Sequence, residues 1–149
     1  MRQPLRLPIA AMAGVLVSGA AMLAGCGTRV SLDEPIEGPT WRLVNLAQQP
    51  VVPGGDLQRE PRLQFDGARV TGSSGCNQLS GSYQRSGSNL KIGPLAATRM
   101  ACADPVRGAL ESNFVTALQG TSNYSLLGRQ LLLLDATGRT LAVLESSGR

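Results

Sequence analysis

Apolar residues in this chain recur mostly at period two, in short runs broken by Gly-rich turns. Residues 40–46 alternate Trp41, Leu43 and, less cleanly, Asn45 against Arg42, Val44 and Leu46, the pattern of a strand with one buried face. Trp41 is in phase with Leu43 and is expected in the core. Residues 62–65 and 69–72 flank Asp66-Gly67, a tight-turn pair, and predict a hairpin. Residues 79–84 and 90–93 predict a second hairpin around 85–89, and 98–100 suit a further short strand. Residues 47–61 hold Pro50, Pro53, Gly54, Gly55 and Pro61 and predict a loop long enough to carry function.

One helix stands out. Asp104 is a favoured N-cap, and Pro105 falls at the first helical position. Leu110, Phe114, Ala117 and Leu118 make one apolar stripe, and Gly120 is placed to end it. Segments 124–127, 130–134 and 140–144 are then strand-like, with turns at 128–129 and 135–139. The expected class is α+β, mostly β. It is an antiparallel meander of about eight short strands, a curled sheet or open barrel, with one amphipathic helix packed on it.

The first 25 residues stand apart. Arg2 and Arg6 make a positive start, and residues 7–23 are apolar apart from Ser18 and small residues. Leu23-Ala24-Gly25-Cys26 follows. A charged start, a short apolar core and small residues before a cut read as a secretory signal, too short to favour a transmembrane helix. The four-residue ending resembles the lipobox of bacterial lipoproteins, in which the cysteine receives lipid and becomes the new N-terminus. Residues 1–25 are therefore expected to be a lipoprotein signal peptide, with Cys26 the lipid-attachment site. Residues 26–39 are expected to be a flexible tether, and 40–146 the folded domain. One acyl chain binds membrane only marginally, with K of about 10⁴ M⁻¹, so several chains are needed for firm anchoring. Gly27, where an Asp usually marks inner-membrane retention, favours the outer membrane facing the periplasm if the organism is Gram-negative.

Loss of Arg2 and Arg6 leaves 12 basic and 10 acidic side chains, net +2, with Lys91 the sole lysine. There is no basic cluster, and five aromatic residues offer little stacking surface, so nucleic acid is not an expected partner. The same charge argues against inhibition of a strongly basic lysozyme.

With Cys26 lipidated, Cys76 and Cys102 remain, and an even pair in an exported chain implies a disulfide. Closing about 27 residues contributes roughly 3.5 kcal/mol on the chain-entropy account. A reactive thiol lacks a Cys-x-x-Cys motif or a histidine, and a zinc site lacks ligands. The absence of histidine also removes the commonest acid–base group, and a Ser–Lys pair would depend on Lys91 at a solvent-facing strand phase. No catalytic residue, metal or cofactor is expected.

Several motifs converge on one family. Trp41-x-Leu43, Leu63-x-Phe65, Gly75-Cys76-Asn77, Gly81-x-Tyr83, Thr98-Arg99-Met100-Ala101-Cys102 and Glu111-x-x-Phe114 resemble the META domain, the family of the heat-shock protein HslJ. The resemblance spans about residues 40–145. Ala142 and Val143 stand where an aromatic is common in such domains. It implies a small β-rich domain with a packed helix, envelope or stress associations, and no established enzymatic activity. The motif residues Gly75, Asn77, Thr98, Arg99, Met100 and Glu111 are then structural or binding positions. Gly72 and Gly75 are expected to allow turns that a Cβ would forbid. Asn77 is expected to bond local backbone, with ligand binding as the alternative. Arg99 is expected to pair with Glu111, with an exposed anion site as the alternative.

The expected function is that of a non-enzymatic envelope lipoprotein, a stress-associated scaffold or binding module. It would be held to the membrane through Cys26 and meet an envelope protein partner. The alternative is a carrier of an apolar small ligand in a half-open barrel, with 126–127 and 131–134 able to line it.

Overall fold

The computed structural model describes residues 36–54, 56 and 59–147. The expected signal peptide, Cys26 and most of the expected tether lie outside the described residues. Nine antiparallel strands form one sheet: β1 (Thr40–Leu46), β2 (Gln49–Pro50), β3 (Arg62–Asp66), β4 (Arg69–Ser73), β5 (Gln78–Ser86), β6 (Asn89–Ala97), β7 (Asn123–Leu127), β8 (Gln130–Leu134) and β9 (Thr140–Ser147). The helix α1 (Pro105–Gly120) joins β6 to β7. Because β1 pairs with both β3 and β9, the curled sheet runs round as a ring. Its weak seam is β6 with β7, which meet at the single register pair Asn89 and Asn123. The helix packs against β1, β6, β8 and β9.

Several elements depart from the sequence expectation for physical reasons. A bulge between Leu43 and Asn45 shifts the phase of β1, so Leu46 joins Trp41 and Leu43 in the core while Asn45 does not. The expected loop at 47–61 begins instead as a tight hairpin. Ala47 and Gln48 adopt φ of 47° and 66°, and β2 pairs back on β1. Left-handed backbone without glycine gives no strong sequence signal. The expected strand at 98–100 is absent, because β6 runs on to Ala97 and residues 98–104 are irregular.

Gly72 is not a turn residue but a central position of β4. A Cβ there would lie 2.0 Å from the Arg62 carbonyl oxygen, so only glycine permits this approach of β3 and β4. The helix starts as expected, with Asp104 Oδ1 accepting from the Val106 amide at 2.9 Å. It does not stop at a left-handed glycine. Gly120 is helical, and Thr121 ends the helix in an extended conformation, its hydroxyl donating to the Ala117 carbonyl at 2.9 Å.

One core fills the ring. Leu63, Phe65, Leu90, Leu131, Leu133 and Leu144 are fully buried, and the helix adds Phe114 and Leu118 to the same cluster. Leu131 and Leu133 are thus packing residues, not the lining of an internal ligand cavity. The core reaches back before β1. Ile36 is fully buried, and its carbonyl accepts from Trp41 Nε1 at 2.7 Å. Tyr83 packs its ring edge-on to Phe65, with centroids 4.9 Å apart, and its hydroxyl donates to Glu37.

Burial, reinforced by that bond to a carboxylate, pushes the Tyr83 phenol up to about 12 from an ordinary value of 10.0. The folded chain keeps this proton where the unfolded chain has lost it. The associated stability is therefore whole below pH 10 and is lost as pH rises toward about 12. Melting temperatures measured at pH 9 and 11.5 should fall more steeply for wild type than for Tyr83→Phe, and parallel curves for the two would contradict this account.

Candidate functional site

The motif residues converge at one junction. The β4–β5 connection carries Ser74, Gly75, Cys76 and Asn77, and the segment after β6 carries Thr98, Met100 and Cys102. The Cys76 and Cys102 sulfurs are at disulfide distance, with Cα atoms 5.6 Å apart. Gly75 takes φ of 123°, open to glycine and strained for other residues. Asn77 is buried, and both ends of its amide are used. Its Oδ1 accepts from the Met100 amide at 2.7 Å and from Thr98 Oγ1 at 2.9 Å. Its Nδ2 donates to Glu111 Oε1 at 2.7 Å and to the Met100 carbonyl at 3.2 Å. Ser74 Oγ also donates to Glu111 Oε1, at 2.8 Å. Glu111 Oε2 lies 3.1 Å from the Cys102 sulfur.

Asn77 thus bonds backbone, as expected, and also binds the helix through Glu111. The expected Arg99–Glu111 ion pair does not form. Arg99 is exposed and makes no ion pair among the described residues, and the Glu111 carboxylate serves Asn77 and Ser74 instead. Met100 contributes its backbone to the junction while its side chain is 61% exposed. Cys76, Cys102 and Glu111 bring three ligand-type atoms within 4.8 Å of one another. With the two sulfurs joined, that group has no thiolate to offer a metal.

Beside the junction runs a groove of about 1000 Å³. One wall is α1, through Val106, Leu110, Asn113 and Ala117; the other is the β1–β2 hairpin and the chain that follows, through Leu43, Leu46, Val51 and Val52. Ser74 and Gly75 line it too, so the junction that docks the helix also fixes the groove. Its carboxylates are engaged. Glu60, 7% exposed, holds Arg42 at 2.9 Å, and Asp135 holds Arg139 at 3.0 Å. Asp135 also accepts from the Thr137 hydroxyl and from the Thr137 and Arg139 amides, closing the β8–β9 turn. The Thr137 hydroxyl bond foremost, with those amides and the Arg139 charge, holds the Asp135 carboxyl down to about 2.

Sequence reasoning placed function in the 47–61 stretch but missed the groove. Its signal was a second helical stripe: Val106, Leu110, Asn113 and Ala117 recur at three- and four-residue steps beside the buried stripe of Phe114 and Leu118.

The junction generates a quantitative expectation. Asn77→Ala and Glu111→Ala each break part-buried hydrogen bonds of the junction and should each lower urea-unfolding stability by about 1–3 kcal/mol. The double variant should lose less than the sum, since the two share a bond. Arg99→Ala should stay within about 0.5 kcal/mol. Strict additivity of the first pair, or a large Arg99 effect, would contradict the geometry.

Comparison with curated proteins finds no match. Among solved structures, the chain is similar to an NMR structure of a protein from Burkholderia xenovorans, at 28% identity and a TM-score of 0.62, covering 76% of this chain and 85% of that one. It is similar to a second protein solved by NMR, at 26% identity and a TM-score of 0.59, covering 74% of this chain and 91% of that one. It shares its fold with a DUF4847 family protein from Bacteroides vulgatus at 17% identity and a TM-score of 0.55, over 76% of this chain and 96% of that one. The META domain model matches residues 34–148, spanning the sheet, the helix and the junction, and the chain belongs to the META domain family.

Proposed function

We propose that this protein is a non-enzymatic envelope lipoprotein, anchored through Cys26, that works as a binding module with the groove between α1 and the β1–β2 hairpin as its binding face. The observation that carries the reading is the groove itself, about 1000 Å³ with a mainly apolar lining. A non-catalytic role is supported by the lack of histidine and by the engagement of both groove carboxylates with arginines. The anchor is supported by the charged start, the apolar stretch and the Leu23-Ala24-Gly25-Cys26 ending. The second reading, a carrier of an apolar small ligand, is favoured by the same walls. Its site moves from the sheet interior, which Leu131 and Leu133 fill, to the groove outside.

Labelled palmitate should tag the wild type and not Cys26→Ser, and the label should fractionate with membranes. A photo-crosslinking side chain at Val106 should capture an envelope component, protein or lipid, whereas one at the exposed Leu127 should not. Equal capture at both positions, or at neither, would remove the groove as the binding face.

A further inference from the structure

Among the described residues, four large apolar side chains are left exposed. Two of them, Val52 at 84% and Val106 at 76%, stand on the two walls of the groove. Folding gains nothing from leaving them in water, where each forgoes about 1.5–3 kcal/mol of burial. The charge in the groove is equally one-sided. Four arginines line it against two carboxylates, Glu60 and Asp135. Arg42, Arg59 and Arg139 each have an ion-pair partner. Arg107 forms no ion pair or hydrogen bond among the described residues. Its side chain crosses from the helix to the opposite wall, where an atom at the Cβ position of Gly54 would sit 3.0 Å from Nη2. A planar guanidinium with no counter-ion, at the edge of an apolar channel, suits a carboxylate bound through two parallel N–H donors.

We propose that the groove binds a long-chain fatty acid, with the alkyl chain along Leu43, Leu46 and Leu110 between Val52 and Val106, and the carboxylate on Arg107. The inference rests on the binding-module reading and names its occupant. The volume of about 1000 Å³ lies at the upper end of small-molecule sites. An extended peptide would bring a donor and an acceptor per residue into a channel whose walls are mainly apolar, whereas an alkyl chain brings none. Among the described residues Arg107 is the one groove arginine without an ion pair, which matches one anionic head.

Among the described residues the buried apolar side chains run from Ile36 to Leu144 in one cluster, and the match to this chain covers 85% and 91% of the two chains solved by NMR. The chain from Gly27 onward therefore serves as a soluble reagent. Displacement of fluorescent cis-parinaric acid by oleate and by oleyl alcohol, which differ only in the head group, reads both halves of the proposal. Oleate should bind one to one and at least tenfold tighter than oleyl alcohol. Arg107→Ala should weaken oleate at least tenfold and leave the alcohol within twofold, and Arg107→Lys should recover part of the loss. Thr116→Trp, at an exposed helix position on the groove, should abolish binding of both, with circular dichroism confirming that each variant is folded. No saturable oleate binding, equal affinity for the alcohol, or indifference to both substitutions would overturn the proposal. If oleate fails while the Val106 crosslinker still captures an envelope protein, the fatty acid falls and the binding module stands.

Discussion

A buried amide has to satisfy its oxygen and its nitrogen, and Asn77 can do so only when three parts of the chain meet. Its oxygen needs Thr98 and Met100 from the segment after β6, and its nitrogen needs Glu111 from the helix. Leaving any of these groups unpaired in the interior costs about 1–3 kcal/mol, so the arrangement is close to all-or-none. The consequences run outward. The irregular segment 98–104 is held without a strand, the helix starts at Asp104 in a set position, and its flank becomes the wall of the groove. The Cys76–Cys102 pair, at disulfide distance, joins the same two segments. The cysteine pair and the polar contacts therefore act on one joint, while the apolar core holds the ring itself.

The regular parts of the fold were legible wherever the local pattern and the tertiary environment agreed. The strand alternation of 62–65, 130–134 and 140–144, the turn at Asp66-Gly67 and the cap at Asp104-Pro105 all translate directly into β3, β8, β9 and α1. What local patterns could not carry was non-local. The bulge in β1 answers to its pairing with β9, and Leu46 is buried for that reason alone. The Ala47-Gln48 turn contains none of the residues that usually mark left-handed backbone. Residues 98–100 look strand-like, yet only the Thr98 amide reaches a strand, at the Gln78 carbonyl, and the Asn77 side chain satisfies the Met100 backbone instead.

The junction and the groove divide along the same line. Gly75, Asn77, Thr98, Met100 and Glu111 could be picked out as motif residues, and they do meet. Their partners could not be assigned from charge, since Arg99 was the obvious match for Glu111 and a neutral amide took the place. The groove is assembled from residues more than 50 positions apart, such as Val52 and Val106, and no local motif marks it. Its hint was Val106, an apolar residue one turn before Leu110 that the helix leaves exposed.

The burial of Ile36 sets a length. Its side chain is sealed in the core and its carbonyl is gripped by the Trp41 indole, so Ile36 is a fixed point of the domain. Nine residues, ten Cα-to-Cα steps, lie between that point and Cys26. However they are arranged, they reach no farther than about 35 Å at full extension. A lipid on Cys26 would therefore act as a short leash, keeping Ile36, and with it the near side of the domain, within roughly one bilayer thickness of the membrane surface.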